Sequence, residues 1–100
     1  MAKEEILLVD DDPTVLEALA TILRDAGYQV SAARSAEEGL RRVQRAAPDV
    51  ALVDIWLPGM DGLQLLEQLK RLAPPLPVIV ISGHGTIETA VRATKLGAYD

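Results

Sequence analysis

The chain has 100 residues, 49% of them hydrophobic, and carries a net charge of -5 at pH 7. This length and apolar content predict one domain with its own core. The acidic balance argues against direct binding to nucleic acid, because phosphate backbones are bound by basic faces. The sequence has no cysteine, which excludes disulfides and thiol chemistry. With no signal peptide and no apolar run long enough to cross a bilayer, a cytoplasmic protein without membrane contact is expected.

The chain begins with an apolar strand and an amphipathic helix. The run Ile6-Leu7-Leu8-Val9 predicts a buried strand that ends in Asp10-Asp11-Asp12. The helix that follows has Asp12 as its N-cap, Pro13 in its first turn and Gly27 after its end. Its predicted core-facing stripe consists of Val15, Leu19, Ile22 and Leu23.

A second strand and helix follow. Residues 28 to 33 predict a short strand at the edge of a sheet. The tract Ser35-Ala36-Glu37-Glu38 predicts a capping box, with a helix that buries Leu40 and Val43 behind it.

The second half repeats this alternation. A third strand, residues 50 to 53, leads directly into Asp54, and a loop ending in Gly62 precedes a helix with Leu63, Leu66 and Leu69 inward. Prolines 74, 75 and 77 end that helix, and residues 78 to 81 predict a fourth strand. Ser82 closes this strand, and a fourth helix is predicted between Thr86 and Gly97.

Strict alternation of fully apolar strands with helices predicts a flavodoxin-like α/β fold, a doubly wound parallel sheet with strand order 2-1-3-4. In this order strands one and three are neighbours, so Asp10, Asp11 and Asp54 should share one crevice at their carboxyl ends, flanked by Ser82. Carboxylates gather this closely only with a cation or a proton between them. The pattern therefore predicts a magnesium site with one carboxylate left as a candidate nucleophile.

These residues resemble the receiver domain of bacterial two-component response regulators, over essentially the whole chain. The resemblance rests on the acidic pair Asp10 and Asp11, on Asp54 with Leu57-Pro58-Gly59-Met60-Asp61-Gly62 behind it, and on Ser82. The tail from Ser82 to Asp100 further resembles the nitrogen-regulatory type of transcriptional activators.

The resemblance implies a role for each residue in two-component signal transduction. Asp54 would be the phosphoacceptor for a sensor histidine kinase and would switch an output domain outside this chain, so the chain would not be a turnover enzyme. Asp11, Asp54 and the backbone carbonyl of Trp56 would ligate Mg²⁺, and Asp10 would act mostly through water. The Ser82 hydroxyl would donate to a phosphoryl oxygen and report phosphorylation to the fourth helix.

Other interpretations stay open. Asp12-Pro13-Thr14-Val15, with Asp10 before it, also fits the nucleophile motif of magnesium-dependent haloacid-dehalogenase-type phosphohydrolases, although Asp54 would then be unexplained. A receiver-like interaction module that is not phosphorylated is a third possibility. Taken singly, Asp12 reads as a helix cap, Asp61 as a turn residue and His84 as a loop side chain.

The family pattern continues beyond Asp100 with a fifth strand, which carries a phosphate-pairing lysine and an aromatic switch residue, and with a fifth helix. Neither residue has a match here, and Lys95 cannot be assumed to replace the lysine. We therefore expect residues 1–100 to be a truncated receiver domain whose fourth strand lies at a sheet edge, and which either self-associates or rearranges its C-terminal part.

Overall fold

The computed structural model describes residues 4–54, 57 and 59–81, in which four strands alternate with three helices. In chain order these are β1 (Glu5–Val9), α1 (Pro13–Asp25), β2 (Gln29–Ala33), α2 (Ala36–Arg45), β3 (Val50–Asp54), α3 (Gly62–Leu72) and β4 (Val78–Ile81). The predicted alternation is confirmed for this part of the chain. The predicted fourth helix lies outside the described residues.

The four strands form one parallel sheet in the order β2-β1-β3-β4, as the sequence predicts. The central pair is β1 and β3, in which Val9 lies opposite Val53. Because parallel neighbours end at the same edge of a sheet, this register brings the residues after Val9 level with the end of β3. Asp54 in turn lies opposite Ile81 of β4.

Two apolar clusters cover the two faces of the sheet. The larger one joins alternate residues of β1 and β3 to α2 and α3, and its fully buried members include Val53, Leu65, Leu66 and Leu69. The α3 leucines predicted to face inward are confirmed, together with Leu65. Gly39 lets α2 lie close to the sheet, since a Cβ there would approach the Val9 Cγ2 to 2.9 Å.

The smaller cluster lies under α1, and it corrects the predicted stripe of that helix. Leu16 and Ala20 are its buried residues, and Leu19 and Leu23 pack against it while partly exposed. Val15 and Ile22, which were predicted to face the core, are 38% and 63% exposed. Leu19 and Leu23 are thus confirmed as core-facing, whereas the prediction is wrong for Val15 and Ile22, whose places in the core are taken by Leu16 and Ala20. Both sets of residues have helical spacing, so packing alone selects between them.

The first two helices begin at the predicted caps. The Asp12 carboxylate accepts a hydrogen bond from the Thr14 N–H at 2.9 Å, and Gly27 follows α1 with a φ of 100°. The Ser35 hydroxyl accepts from the Glu38 N–H at 3.1 Å, as predicted. The Glu38 carboxylate, however, accepts from the Arg34 N–H and not from that of Ser35, so the predicted capping box is only half formed.

The third helix contains a complete capping box. The Asp61 carboxylate accepts from the Gln64 N–H at 2.9 Å, and the Gln64 side chain accepts from the Asp61 N–H at 3.1 Å. Asp61 is therefore an N-cap, which corrects its interpretation as a turn residue. At the other end of α3, the Lys70 ammonium donates to the carbonyls of Pro74 and Leu76, both at 2.9 Å. These bonds fix the loop that leads from α3 to β4.

None of the described helices combines the length and the apolar character needed to cross a membrane.

Candidate functional site

Three aspartates meet at the carboxyl ends of β1 and β3. Each of Asp10, Asp11 and Asp54 offers one carboxylate oxygen, and these oxygens all lie within 4.8 Å of one another. The strand order explains this arrangement, because Asp10 and Asp11 follow β1 directly and Asp54 is the last residue of β3. The predicted convergence of the three carboxylates is confirmed, and we call this group the acidic crevice.

Asp10 is the buried member of the acidic crevice, with only 8% of its surface exposed. Its backbone N–H donates to the Ala33 carbonyl at 3.1 Å, and its Oδ1 accepts from the Asp12 N–H at 2.9 Å. These two bonds fix both the backbone and the carboxylate, so Asp10 has a set orientation toward its neighbours. A buried carboxylate held this way is suited to positioning a bound group.

Asp54 and Asp11 are progressively more accessible. Asp54 is half-buried at the end of a central strand, and Asp11 is exposed. The acidic crevice is therefore open to solvent on the Asp11 side and less exposed on the β3 side. Three carboxylates at this separation repel one another, and a divalent cation relieves that repulsion. Carboxylate oxygens are also the ligands that Mg²⁺ takes in proteins, so the donor set fits this ion.

Asp12, although adjacent, does not belong to the acidic crevice. Its Oδ1 accepts from the N–H groups of Thr14 and Val15, at 2.9 and 3.5 Å, and so caps α1. The phosphohydrolase interpretation needs Asp10 as nucleophile and Asp12 as a second working carboxylate. In this structure Asp10 is buried with one oxygen bound to backbone, and the Asp12 carboxylate is engaged in the cap.

Several residues singled out from the sequence lie outside the described part of the chain. These are Trp56, whose carbonyl was expected to bind the metal, Ser82, expected to contact a phosphoryl group, and His84. Within the described loop, Gly59 has a φ of 77°, a conformation that favours glycine.

Glu37 is a neighbour of the loop after β3 that sequence reasoning missed. A Cβ placed at Gly59 would lie 3.4 Å from the Glu37 Oε2, so the first turn of α2 reaches the loop that follows Asp54. The sequence carries no signal of this contact, because it depends on how α2 packs across the sheet.

Comparison with known proteins gives a consistent result. The sequence model of the response regulator receiver domain matches residues 6–100. The chain is 49% identical over 98 residues to the nitrogen assimilation regulatory protein NtrX of Azorhizobium caulinodans, which covers 96% of this chain and 22% of that protein. It is 42% identical over 94 residues to the transcriptional regulatory protein GlrR of Escherichia coli, covering 94% of this chain and 21% of the relative. The chain thus spans about a fifth of the length of these curated relatives.

Solved structures agree on the fold. A CheY-like response regulator receiver domain protein from Methanospirillum hungatei superposes with a TM-score of 0.93 at 37% identity, covering 97% of this chain and 78% of that one. The receiver domain of NtrX from Brucella abortus superposes with a TM-score of 0.89 at 46% identity, covering 95% of this chain and 81% of that one.

Proposed function

Because this chain belongs to the response regulator receiver domain family, we propose that it accepts a phosphoryl group on Asp54 from a sensor histidine kinase. The observation that carries this proposal is the convergence of three carboxylates within 4.8 Å at the ends of two neighbouring strands. A group of this kind can bind a cation and a phosphoryl group together, with one carboxylate acting as the nucleophile.

Position favours Asp54 as that nucleophile. It ends β3, which is paired on both sides, and it is half-buried, so the sheet fixes its backbone while the residue is still reached from solvent. Asp10 is too buried to meet a donor, and its Oδ1 is already bound to the Asp12 N–H. Asp11 is exposed and follows the end of its strand, so it is less firmly placed.

The transfer itself is a displacement at phosphorus. A carboxylate oxygen of Asp54 forms the new O–P bond while the P–N bond to the kinase histidine breaks, and the electron pair leaves with the imidazole nitrogen. The product is an aspartyl phosphate. The buried Asp10 contributes a carboxylate with a fixed position beside the attacking group, where it would help to hold a bound cation.

Mg²⁺ would be held by Asp10, Asp11 and Asp54, with the backbone carbonyl of Trp56 as a further proposed ligand. When bound, the ion supplies positive charge that neutralises the phosphoryl oxygens during transfer. Ser82 is the proposed hydroxyl donor to the phosphoryl group.

We further propose that the phosphorylation state of Asp54 controls a separate output domain, and that the chain works as a switch without catalytic turnover. In support, the relatives are named as regulatory proteins, and this chain matches only about a fifth of their length. We expect this output domain to regulate transcription.

Labelling with a small phosphodonor tests this proposal. The protein is incubated with acetyl phosphate and Mg²⁺, and its intact mass is followed. We expect phosphoryl incorporation that depends on Mg²⁺. Asp54→Asn should abolish this incorporation, whereas Asp10→Asn should only raise the Mg²⁺ concentration that it requires. Asp12→Asn is the matched control, because asparagine also caps helices well and labelling should persist. Labelling that survives Asp54→Asn and is lost in Asp10→Asn would establish the phosphohydrolase interpretation instead.

A further inference from the structure

The outer edge of β2 offers backbone groups to another strand. The Gln29 N–H donates to the Glu4 carbonyl at 2.9 Å and the Ala33 carbonyl accepts from the Asp10 N–H at 3.1 Å, so these residues face β1. Backbone groups alternate along a strand, and Val30 and Ala32 therefore point theirs away from β1. β2 is terminal in the sheet, and no described strand pairs with this outer edge.

Two charged side chains cover the ends of this edge. The Arg24 Nη2 donates to the Val30 carbonyl at 3.3 Å, and the Glu38 Oε2 accepts from the Arg34 N–H at 3.3 Å. Proteins commonly use charged side chains to keep unrelated strands from an exposed edge. Both bonds are long and exposed to solvent, so a segment that offers better partners can displace them. Ala32 lies between the two covered positions.

Beside β2, a groove of about 480 Å³ runs along α2, bordered by Ser31, Arg41, Arg42 and Arg45. Arg42 pairs with Glu38 at 3.4 Å, whereas Arg41 and Arg45 have no ion pair with any described residue. Residues four apart lie on the same side of a helix, and Arg41 and Arg45 both border this groove. Glu5 and Glu38 also border the groove, so its lining carries three arginines and two glutamates and has a net charge of +1, in a chain whose net charge is -5.

The other face of the edge is apolar. Tyr28 and Val30 pack, partly exposed, against the cluster under α1, and together with Arg24 they border a second groove at the start of β2. A strand added beside β2 would alternate its side chains between the two faces. Its residues on the α2 side would meet arginines, and those on the α1 side would meet Tyr28 and Val30.

We propose that an extended, acidic segment of a partner protein binds here, adding a strand to β2 in which acidic and apolar residues alternate. Its carboxylates pair with Arg41 and Arg45, and its backbone hydrogen-bonds to Val30 and Ala32. Arg24, once displaced from the Val30 carbonyl, becomes a third cation for the acidic segment. This surface is separate from the acidic crevice, and the inference does not rest on phosphorylation of Asp54.

Binding of a short fluorescein-labelled peptide that alternates glutamate and valine tests the charge component, measured by fluorescence anisotropy on the intact protein. Arg41→Gln and Arg45→Gln should each weaken saturable binding roughly two- to fivefold at low salt, as expected for exposed charge pairs. Arg71→Gln is the matched control. Like Arg45 it removes one charge from the last turn of a helix, but Arg71 pairs with Glu67 at 2.6 Å and does not border the groove along α2. The affinity of the Arg71→Gln variant for the peptide should be unchanged.

A second pair of peptides tests strand addition. N-methylation of the backbone amides on the edge that faces β2 should abolish binding, and N-methylation on the opposite edge should leave it intact. The proposal is overturned if no saturable binding occurs, if the two methylated peptides behave alike, or if all three arginine variants lose affinity equally. Tighter binding of duplex DNA than of the peptide would also overturn it, by showing that the groove selects phosphate.

Discussion

Val9 and Val53 face each other across the centre of the sheet and are 1% and 0% exposed, whereas Asp10 and Asp54, the next residues, belong to the acidic crevice. The apolar middles of β1 and β3 are packed between helices, where removal from water stabilises the fold. The ends of the same strands bring like charges together, which opposes folding until a cation is bound. One pair of strands thus stabilises the fold with its middle and forms the acidic crevice with its ends.

The largest expected effect lies in the apolar region. Leu66 is fully buried in the cluster beneath α2 and α3, so Leu66→Ala should lower the free energy of unfolding by about 3 kcal/mol. Leu19→Ala is the control, because Leu19 is only partly buried under α1 and its loss should cost clearly less. Urea denaturation of the two variants checks this. Equal losses would show that the two faces of the sheet contribute alike.

A smaller effect is expected where α2 lies closest to β1. Gly39→Ala places a Cβ 2.9 Å from the Val9 Cγ2, and this overpacking should exceed the gain of about 1 kcal/mol that alanine brings to a helix. We expect a net loss of about 1 kcal/mol. In a Val9→Ala background the clash is absent, and the same substitution should become neutral or stabilising. A cost that persists there would place the strain elsewhere in α2.

The acidic region should respond in the opposite direction. Without Mg²⁺, Asp11→Asn should leave stability unchanged or raise it by up to about 1 kcal/mol, because it removes a like charge from the crevice. Mg²⁺ at about ten times its Kd should stabilise the unsubstituted protein by about 1.4 kcal/mol and the variant less. Asp61→Asn makes the same chemical change outside the crevice, at a cap that asparagine also serves. Thermal unfolding with and without Mg²⁺ measures the difference, and a melting temperature indifferent to Mg²⁺ would contradict it.

The contrast between the apolar core and the acidic crevice also shows which parts of the structure can be predicted from the sequence. The alternation of strands with helices predicts the strand order, and the aspartates that follow the first and third strands then predict the meeting of Asp10, Asp11 and Asp54, because parallel neighbours end at one edge. The sequence does not determine which residues of α1 are buried, since two stripes of that helix have equally good spacing. Only packing selects Leu16 and Ala20.

The side-chain hydrogen bonds at the helix ends are also ambiguous from the sequence alone. Asp61 suits a turn and a helix cap equally well, and the Glu38 carboxylate has two backbone N–H groups within its reach. The approach of Glu37 to the loop at Gly59 depends on the tertiary arrangement alone.

The most direct test of the central claim is to locate the phosphoryl group. The protein is phosphorylated with acetyl phosphate and Mg²⁺ and then treated with borohydride, which reduces an aspartyl phosphate to homoserine, and the peptides are sequenced by mass spectrometry. We predict homoserine at position 54, with Asp10, Asp11 and Asp12 unchanged. Homoserine at position 10, or no conversion at any aspartate of a fully folded protein, would contradict the assignment of Asp54 as the phosphoacceptor.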